Sequence, residues 1–150
     1  MRELADFLVS AGVGIVQLPC PELIHLGLDR EADPRLSATV ESEDTRVAAL
    51  MKFPDALALC ARLAGDVVCQ VQQYKANGFK VLGVIGINGS PTCGVETNWD
   101  AEEEPPGPGV FIQALREQLL RAGVDILMRG VKASDPEAAL TVAQQLIAPA

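Results

Sequence analysis

The stretch Phe79-Lys80-Val81-Leu82-Gly83-Val84-Ile85-Gly86-Ile87 decides the fold class of this chain of 150 residues. It is almost continuously apolar, and it follows a segment of helical spacing that ends at Gly78. Strands of this kind are usually buried on both faces, as parallel strands covered by helices are. A glycine directly after a helix is the usual left-handed cap. The stretch therefore predicts a buried parallel strand that follows a helix.

The same unit of helix, glycine and apolar strand recurs. Its other copies comprise residues 3–11, Gly12 and 13–18, and residues 110–122, Gly123 and 124–128. Further helices are predicted over residues 53–76 and from about residue 134. Repeated units of this type predict an α/β fold in one domain over residues 1–150. We expect a three-layer open parallel sheet, Rossmann-like or flavodoxin-like, with helices on both faces.

The first predicted helix begins almost at the first residue, with no strand before it. Parallel sheets are built from strand–helix–strand units. We therefore expect either a fold that starts with a helix or the absence of a first strand from this polypeptide. A sheet edge left open in this way predicts pairing with another chain, as in a homo-oligomer.

Charge and hydropathy exclude several functions. The chain has 12 Lys and Arg against 20 Asp and Glu, and a net charge of −8. It has no basic stripe, so binding of nucleic acid through phosphates is not expected. The acidic stretches at residues 41–44 and 102–104 are interpreted as solvated loops. No apolar run approaches the ~18 residues of a membrane span, and no signal peptide is evident, so we predict a cytoplasmic protein.

Two cysteines are the strongest chemical candidates. Cys20 lies in Leu18-Pro19-Cys20-Pro21-Glu22, and Cys93 lies in Gly89-Ser90-Pro91-Thr92-Cys93-Gly94; each motif directly follows an apolar run. Because the loops at the carboxyl ends of parallel strands converge on one crevice, we expect the two thiols to lie close together.

The remaining candidates have simpler interpretations. Cys60 falls on the apolar face of the long helix and is interpreted as core packing, while Cys69 lies nearer the polar side and is given no role. No zinc-finger or ferredoxin spacing is present, so a metal centre must be assembled from distant loops. His25, the single histidine, is either a plain helix residue or the base for a nucleophilic Cys93.

Together these motifs resemble the TudS-related desulfidases, relatives of the thiouracil desulfurase family. The matching stretches come in the family's order and cover most of the chain: residues 14–22, 27–30, 83–95 and 107–112. The combination of Cys-Pro-Glu with Ser-Pro-x-Cys-Gly is fairly specific, whereas either motif alone is weak.

The resemblance implies a 4Fe–4S cluster held by three cysteines, with one iron open to the sulfur of a thiocarbonyl small molecule such as a thiolated nucleobase. On this chain Cys20 and Cys93 match two cluster ligands, Glu22 matches an acid/base residue and Ser90 a polar partner near the substrate. Thiolates suit iron–sulfur centres, and an open coordination site suits metal-assisted chemistry. The family's first cysteine follows an N-terminal strand, which has no counterpart here.

Three functions follow as hypotheses. The leading one is an iron–sulfur-dependent desulfidase. The second is a metal-free or vestigial small-molecule-binding domain of the same fold. The third is a cysteine hydrolase or transferase in which Cys93 is the nucleophile and His25 the base.

Overall fold

The computed structural model describes residues 2–30 and 39–148. This part of the chain is a mixed α/β structure with six helices and two strands. In chain order the elements are α1 (Arg2–Ser10), α2 (Pro21–Leu26), α3 (Val40–Leu50), α4 (Pro54–Ala76), β1 (Gly83–Ile87), α5 (Val110–Arg121), β2 (Leu127–Val131) and α6 (Pro136–Ile147). Over these residues, no helix combines the length and the apolar character needed to cross a bilayer.

The sheet consists of β1 and β2, which pair in parallel with Gly83 opposite Leu127 and Ile87 opposite Val131. The prediction of parallel strands is confirmed, but the bounds differ: β1 occupies only residues 83–87 of the predicted 79–87, and β2 begins three residues after the predicted start of 124–128 and extends beyond its end. Each strand has its single partner on one side, so within the described ranges the outer edge of each is unpaired.

The prediction of a strand over residues 13–18 is wrong for the described chain. These residues adopt no regular element, and Ile15 and Val16 are about half exposed. An apolar run becomes a strand only when a neighbour pairs with its backbone N–H and C=O groups. No other described strand lies alongside this run.

The four predicted helices are present as α1, α4, α5 and α6. Gly12, Gly78 and Gly123 have φ of +72°, +82° and +64°, which confirms the left-handed caps. The interpretation of residues 41–44 as a loop is wrong, because they belong to the first turns of α3. Thr39 and Ser42 exchange side-chain and backbone hydrogen bonds that start this helix.

Two hydrophobic clusters lie on opposite sides of the sheet. Val84 and Met128, which are paired across the sheet, contact the cluster that contains α4 and α5. Ile85 and Val131 contact the second cluster, which contains α1 and α6. Alternate residues of a strand point to opposite faces, so each cluster uses one face of the two strands. The carboxyl end of β1 leads directly into the loop that carries Cys93.

Gly86 of β1 has no room for a side chain. A Cβ at Gly86 would lie 2.5 Å from Val95 Cγ2 and 2.8 Å from the carbonyl oxygen of Cys93. We expect Gly86→Ala to lower the free energy of unfolding by about 1–3 kcal/mol, because backbone and a buried side chain must move. Gly14→Ala is the control, since nothing lies within 4 Å of its Cβ position. Equal urea midpoints for the two variants would contradict this packing.

Candidate functional site

Cys20 lies at the start of α2. It is the N-cap residue, with extended φ and ψ of −95° and 106°, and its thiol makes no capping hydrogen bond. Pro21 occupies the first helical position, where its missing N–H costs nothing, and it is buried. The thiol of Cys20 is therefore partly exposed on a stiff backbone and is not used to cap the helix.

Asn88 organises the loop that carries Cys93. Its Oδ1 accepts hydrogen bonds from the backbone N–H groups of Val95 (3.3 Å), Glu96 (3.0 Å) and Thr97 (3.5 Å). One side chain thus satisfies three donors that no regular element pairs. The loop folds back on the end of β1, and Cys93 is held within it.

Ser90 fixes the backbone of Cys93 itself. Its Oγ accepts hydrogen bonds from the N–H groups of Thr92 (3.3 Å) and Cys93 (3.0 Å). A serine hydroxyl has one proton to donate besides its acceptor lone pairs, and these two bonds leave that proton unused. Ser90 therefore shapes the loop as an acceptor, while its predicted role beside a substrate stays a prediction.

Thr92 joins the loop to α5. Its carbonyl oxygen accepts from the N–H of Phe111 (3.1 Å), and the carbonyl of Pro91 accepts from Val110 (3.2 Å), so the loop caps the start of this helix. The Thr92 side chain is fully buried, and its Oγ1 has no hydrogen-bond partner among the described residues. A buried hydroxyl without a partner is unfavourable, because no hydrogen bond compensates for its removal from water.

Glu22 is a buried acid, 6% exposed, in the first turn of α2. Its Oε2 lies 3.0 Å from a guanidinium nitrogen of Arg30. Arg30 has φ of +53°, and its carbonyl oxygen accepts a 2.6 Å hydrogen bond from Arg46. Sequence reasoning gave Arg30 no role, although a buried carboxylate requires a cationic or hydrogen-bonding partner.

The pKa shifts of two thiols connect candidate residues that are far apart in the sequence. Burial, the largest cause, and the neighbouring groups Glu22, Cys20 and Cys60 together raise the pKa of the Cys93 thiol to about 12. Burial, with Glu22 in addition, raises the pKa of Cys60 to about 11. Cys20 and Glu22, which the sequence singled out, thus both act on Cys93. Cys60 belongs to the same neighbourhood, and its predicted burial is confirmed at 1% exposure.

Asp44 is a second acid that sequence reasoning missed. Burial raises the pKa of Asp44, the charge of Glu22 raises it further, and Arg30 opposes the shift. Residues 41–44 were interpreted as a solvated loop, and only the packing of α3 brings Asp44 near this ion pair.

His25, in the last turn of α2, lies near Asp55 in the first turn of α4. Its Nε2 is 3.9 Å from Oδ2 of Asp55. In the described part of the chain, no hydrogen bond or ion pair joins His25 to Cys93. Because the raised pKa keeps Cys93 protonated at neutral pH, this geometry disfavours the hypothesis of a cysteine nucleophile with a histidine base.

A cavity of about 370 Å³ opens beside Cys20. Its lining combines the thiol with apolar and charged side chains: Cys20, Leu23, Gly27, Leu28, Asp29, Arg30 and Glu43. A larger cavity, of about 650 Å³, lies between the end of α5 and β2 and contains none of the predicted site residues. We take the smaller cavity as the candidate site because Cys20 and the partner of Glu22 line it.

The donor set of the site consists of thiols. Over residues 2–30 and 39–148, no three His, Cys, Asp or Glu side chains are grouped closely enough to hold one metal ion. An iron–sulfur cluster attaches each cysteine to a different iron, so its ligands lie farther apart than those of a single ion. Cys20 and Cys93, two thiols that interact electrostatically, are donors of the kind that such a cluster takes.

Comparison with known proteins gives one relative. The chain is 36% identical over 97 residues to the uncharacterised protein MJ0003 of Methanocaldococcus jannaschii. The aligned region covers 65% of this chain and 53% of the relative, so the chain spans about half the length of that protein. No protein-family model and no solved structure matches the chain.

The buried thiols should make the metal-free protein sensitive to alkali. In the unfolded chain Cys93 ionises near its ordinary pKa of 9.0, whereas in the folded chain the pKa is about 12. The stabilising effect of the neutral thiol is therefore complete below pH 9 and is lost as the pH rises towards 12. We expect ionisation of this thiol to lower the free energy of unfolding by about 1.4 kcal/mol per pH unit over this window.

Urea unfolding at pH 8 to 11 measures this slope. The free energy of unfolding of Cys93→Ala should fall less steeply with pH than that of the wild type. Cys69→Ala, which removes an exposed thiol, should match the wild type. Identical slopes in the wild type and Cys93→Ala would contradict the burial of this thiol.

Proposed function

We propose that this chain is an iron–sulfur-dependent, TudS-like desulfidase domain that removes sulfur from a small thiocarbonyl compound such as a thiolated nucleobase. One observation carries the proposal. Cys20 and Glu22 act electrostatically on the buried Cys93, some seventy positions later in the chain, and Cys20 lines a cavity of about 370 Å³. The sequence resemblance had assigned cluster and catalytic roles to these same residues.

Cys20 and Cys93 would hold the cluster through their sulfur atoms. When bound, a 4Fe–4S cluster with an open iron supplies a Lewis-acidic site for the substrate sulfur. Metal binding requires deprotonated thiols, so the raised pKa of Cys93 means that binding releases protons to solvent. The buried Thr92 hydroxyl is a donor of the kind that stabilises cluster or thiolate sulfur.

Glu22 is the acid/base residue in this proposal. Arg30 orients its carboxylate at 3.0 Å, and the carboxylate would accept a proton from the water that replaces sulfur. Ser90, whose hydroxyl proton is unused by its two accepted bonds, would donate to the substrate. Leu23 and Leu28 give the cavity an apolar wall suited to a planar heterocycle.

The proposal includes a three-layer, Rossmann-like arrangement. Its support is the parallel pairing of β1 and β2 and the two clusters that use alternate strand residues. A cytoplasmic location and pairing of copies through an open sheet edge stay predictions of the sequence. A metal-free small-molecule-binding domain is the alternative, favoured by the stability of Cys93 as a neutral buried thiol.

Anaerobic reconstitution tests for the cluster. The protein, incubated with ferrous iron and sulfide and desalted, should turn brown and absorb broadly in the near-visible range. Cys20→Ala and Cys93→Ala should lose this colour, because each removes a thiolate ligand, while Cys69→Ala should keep it. Colourless wild-type protein without bound iron would exclude the cluster and leave the metal-free binding domain.

Sulfide release from thiouracil tests the chemistry. We expect Glu22→Gln to keep the absorption of the cluster and to release sulfide about 10²–10⁴-fold more slowly, because it removes the general base. Glu102→Gln, at an exposed position, is the matched control and should release sulfide at the wild-type rate. Unchanged turnover in Glu22→Gln would exclude this role.

A further inference from the structure

The cavity beside Cys20 is lined by two elements that are separate in the chain. One is the turn at residues 27–30, which follows α2, and the other is α3, which contributes Glu43. The N–H of Arg30 donates to the carbonyl oxygen of Gly27 at 3.3 Å and closes the turn. The shape of the cavity therefore depends on how this turn is held against α3.

Arg46 of α3 binds both elements. Its Nε and Nη2 donate to the two carboxylate oxygens of Glu43, at 3.3 Å and 2.8 Å, and Nη2 also donates to the carbonyl oxygen of Arg30 at 2.6 Å. A terminal guanidinium nitrogen carries two N–H groups, so it can serve both acceptors at once. The side chain of Arg46 thus fastens the turn to α3 at the cavity.

Arg30 depends on such a bond because its backbone is left-handed. Its φ is +53°, and a non-glycine residue keeps this conformation only where the surrounding structure fixes it. From this backbone the guanidinium of Arg30 reaches the buried Glu22, with 3.0 Å between Nη2 and Oε2. The hydrogen bond from Arg46 therefore fixes the residue that holds the buried carboxylate.

The position of α3 is itself set by contacts on both sides of Arg46. Val47, the next residue, is fully buried in the core. Thr45, the preceding residue, accepts a 2.9 Å hydrogen bond from Nε1 of Trp99, which lies in the segment between β1 and α5. Arg46 thus acts from a helix that the core and Trp99 hold in place.

We propose that Arg46 is a positioning residue of the candidate site. It closes the cavity beside Cys20 by fastening the turn at residues 27–30 to α3. Through Arg30 it also sets the place of the Glu22 carboxylate. The inference rests on the proposed function and deepens it, because neither the motifs nor the resemblance gives Arg46 a role.

Alkylation of the metal-free protein tests the closure of the cavity. Cys20 is partly exposed, and Cys69, which is exposed, serves as the internal reference. We expect iodoacetamide to label Cys20 about three-fold faster or more in Arg46→Ala than in the wild type, because access to the thiol increases. Arg62→Ala, which removes an exposed arginine of α4, is the matched control and should react at the wild-type rate. Mass spectrometry of the labelled peptides gives the rates.

Sulfide release from thiouracil by the reconstituted protein tests the positioning of Glu22. We expect Arg46→Ala to keep its iron and to lower kcat about 10- to 100-fold, more than it raises KM, because a misplaced base slows the chemical step. In a Glu22→Gln background, Arg46→Ala should cause no further loss of kcat, since it acts through Glu22. A merely structural role would lower the iron content and leave kcat per bound cluster unchanged.

Each outcome decides part of the proposal. Equal labelling of Cys20 in Arg46→Ala and the wild type would overturn the closure of the cavity. Unchanged kcat, or a further loss in the double variant, would overturn the positioning of Glu22 and leave the proposed function intact.

A wild type that binds no iron and releases no sulfide would overturn the proposed function and the catalytic part of this role, while the labelling rates would still decide the closure. Circular dichroism checks folding. If Arg46→Ala unfolds, Arg46→Lys replaces it, because lysine keeps the charge but lacks the planar fork that binds both acceptors. The same changes, smaller in size, are then expected.

Discussion

The buried charge of Glu22 is the interaction on which the site depends. A carboxylate that is 6% exposed is tolerated because Arg30 lies 3.0 Å away, in a backbone conformation that few non-glycine residues adopt. Burial raises the pKa of Asp44, Cys60 and Cys93, and the same charge adds to each of these shifts. The buried acid of α2 thus interacts electrostatically with one group in α3, one in α4 and one in the loop after β1.

The loop after β1 lies within electrostatic reach of Glu22 because hydrogen bonds and close packing fix the backbone of the loop. Asn88 and Ser90 accept five hydrogen bonds from backbone N–H groups within the loop. Gly109 leaves no room for a Cβ, which would lie 2.5 Å from the carbonyl carbon of Thr92. These contacts position Cys93 against the core, where burial keeps its thiol neutral without a metal. The same burial would make a bound cationic group the natural partner of its thiolate.

Local patterns predicted much of the fold. Apolar periodicity gave four of the helices, and three glycines with positive φ ended their helices as expected. The run at residues 13–18 was misassigned because strand formation requires a paired neighbour, which its own residues do not supply. Residues 41–44 were misassigned because a helix that is acidic in its first turn has the composition of a loop.

The sequence by itself determined which residues are the candidates for chemistry: Cys20, Glu22, Ser90 and Cys93 lie in short motifs whose proline and glycine neighbours restrict the backbone. Tertiary structure alone decided which further groups meet them. Arg30, Asp44 and Cys60 are ordinary residues of a turn and two helices, and nothing in their local sequence indicates their partners. The physical reason is that burial and electrostatic coupling depend on distances between helices, which the packing of α2, α3 and α4 sets and local spacing does not.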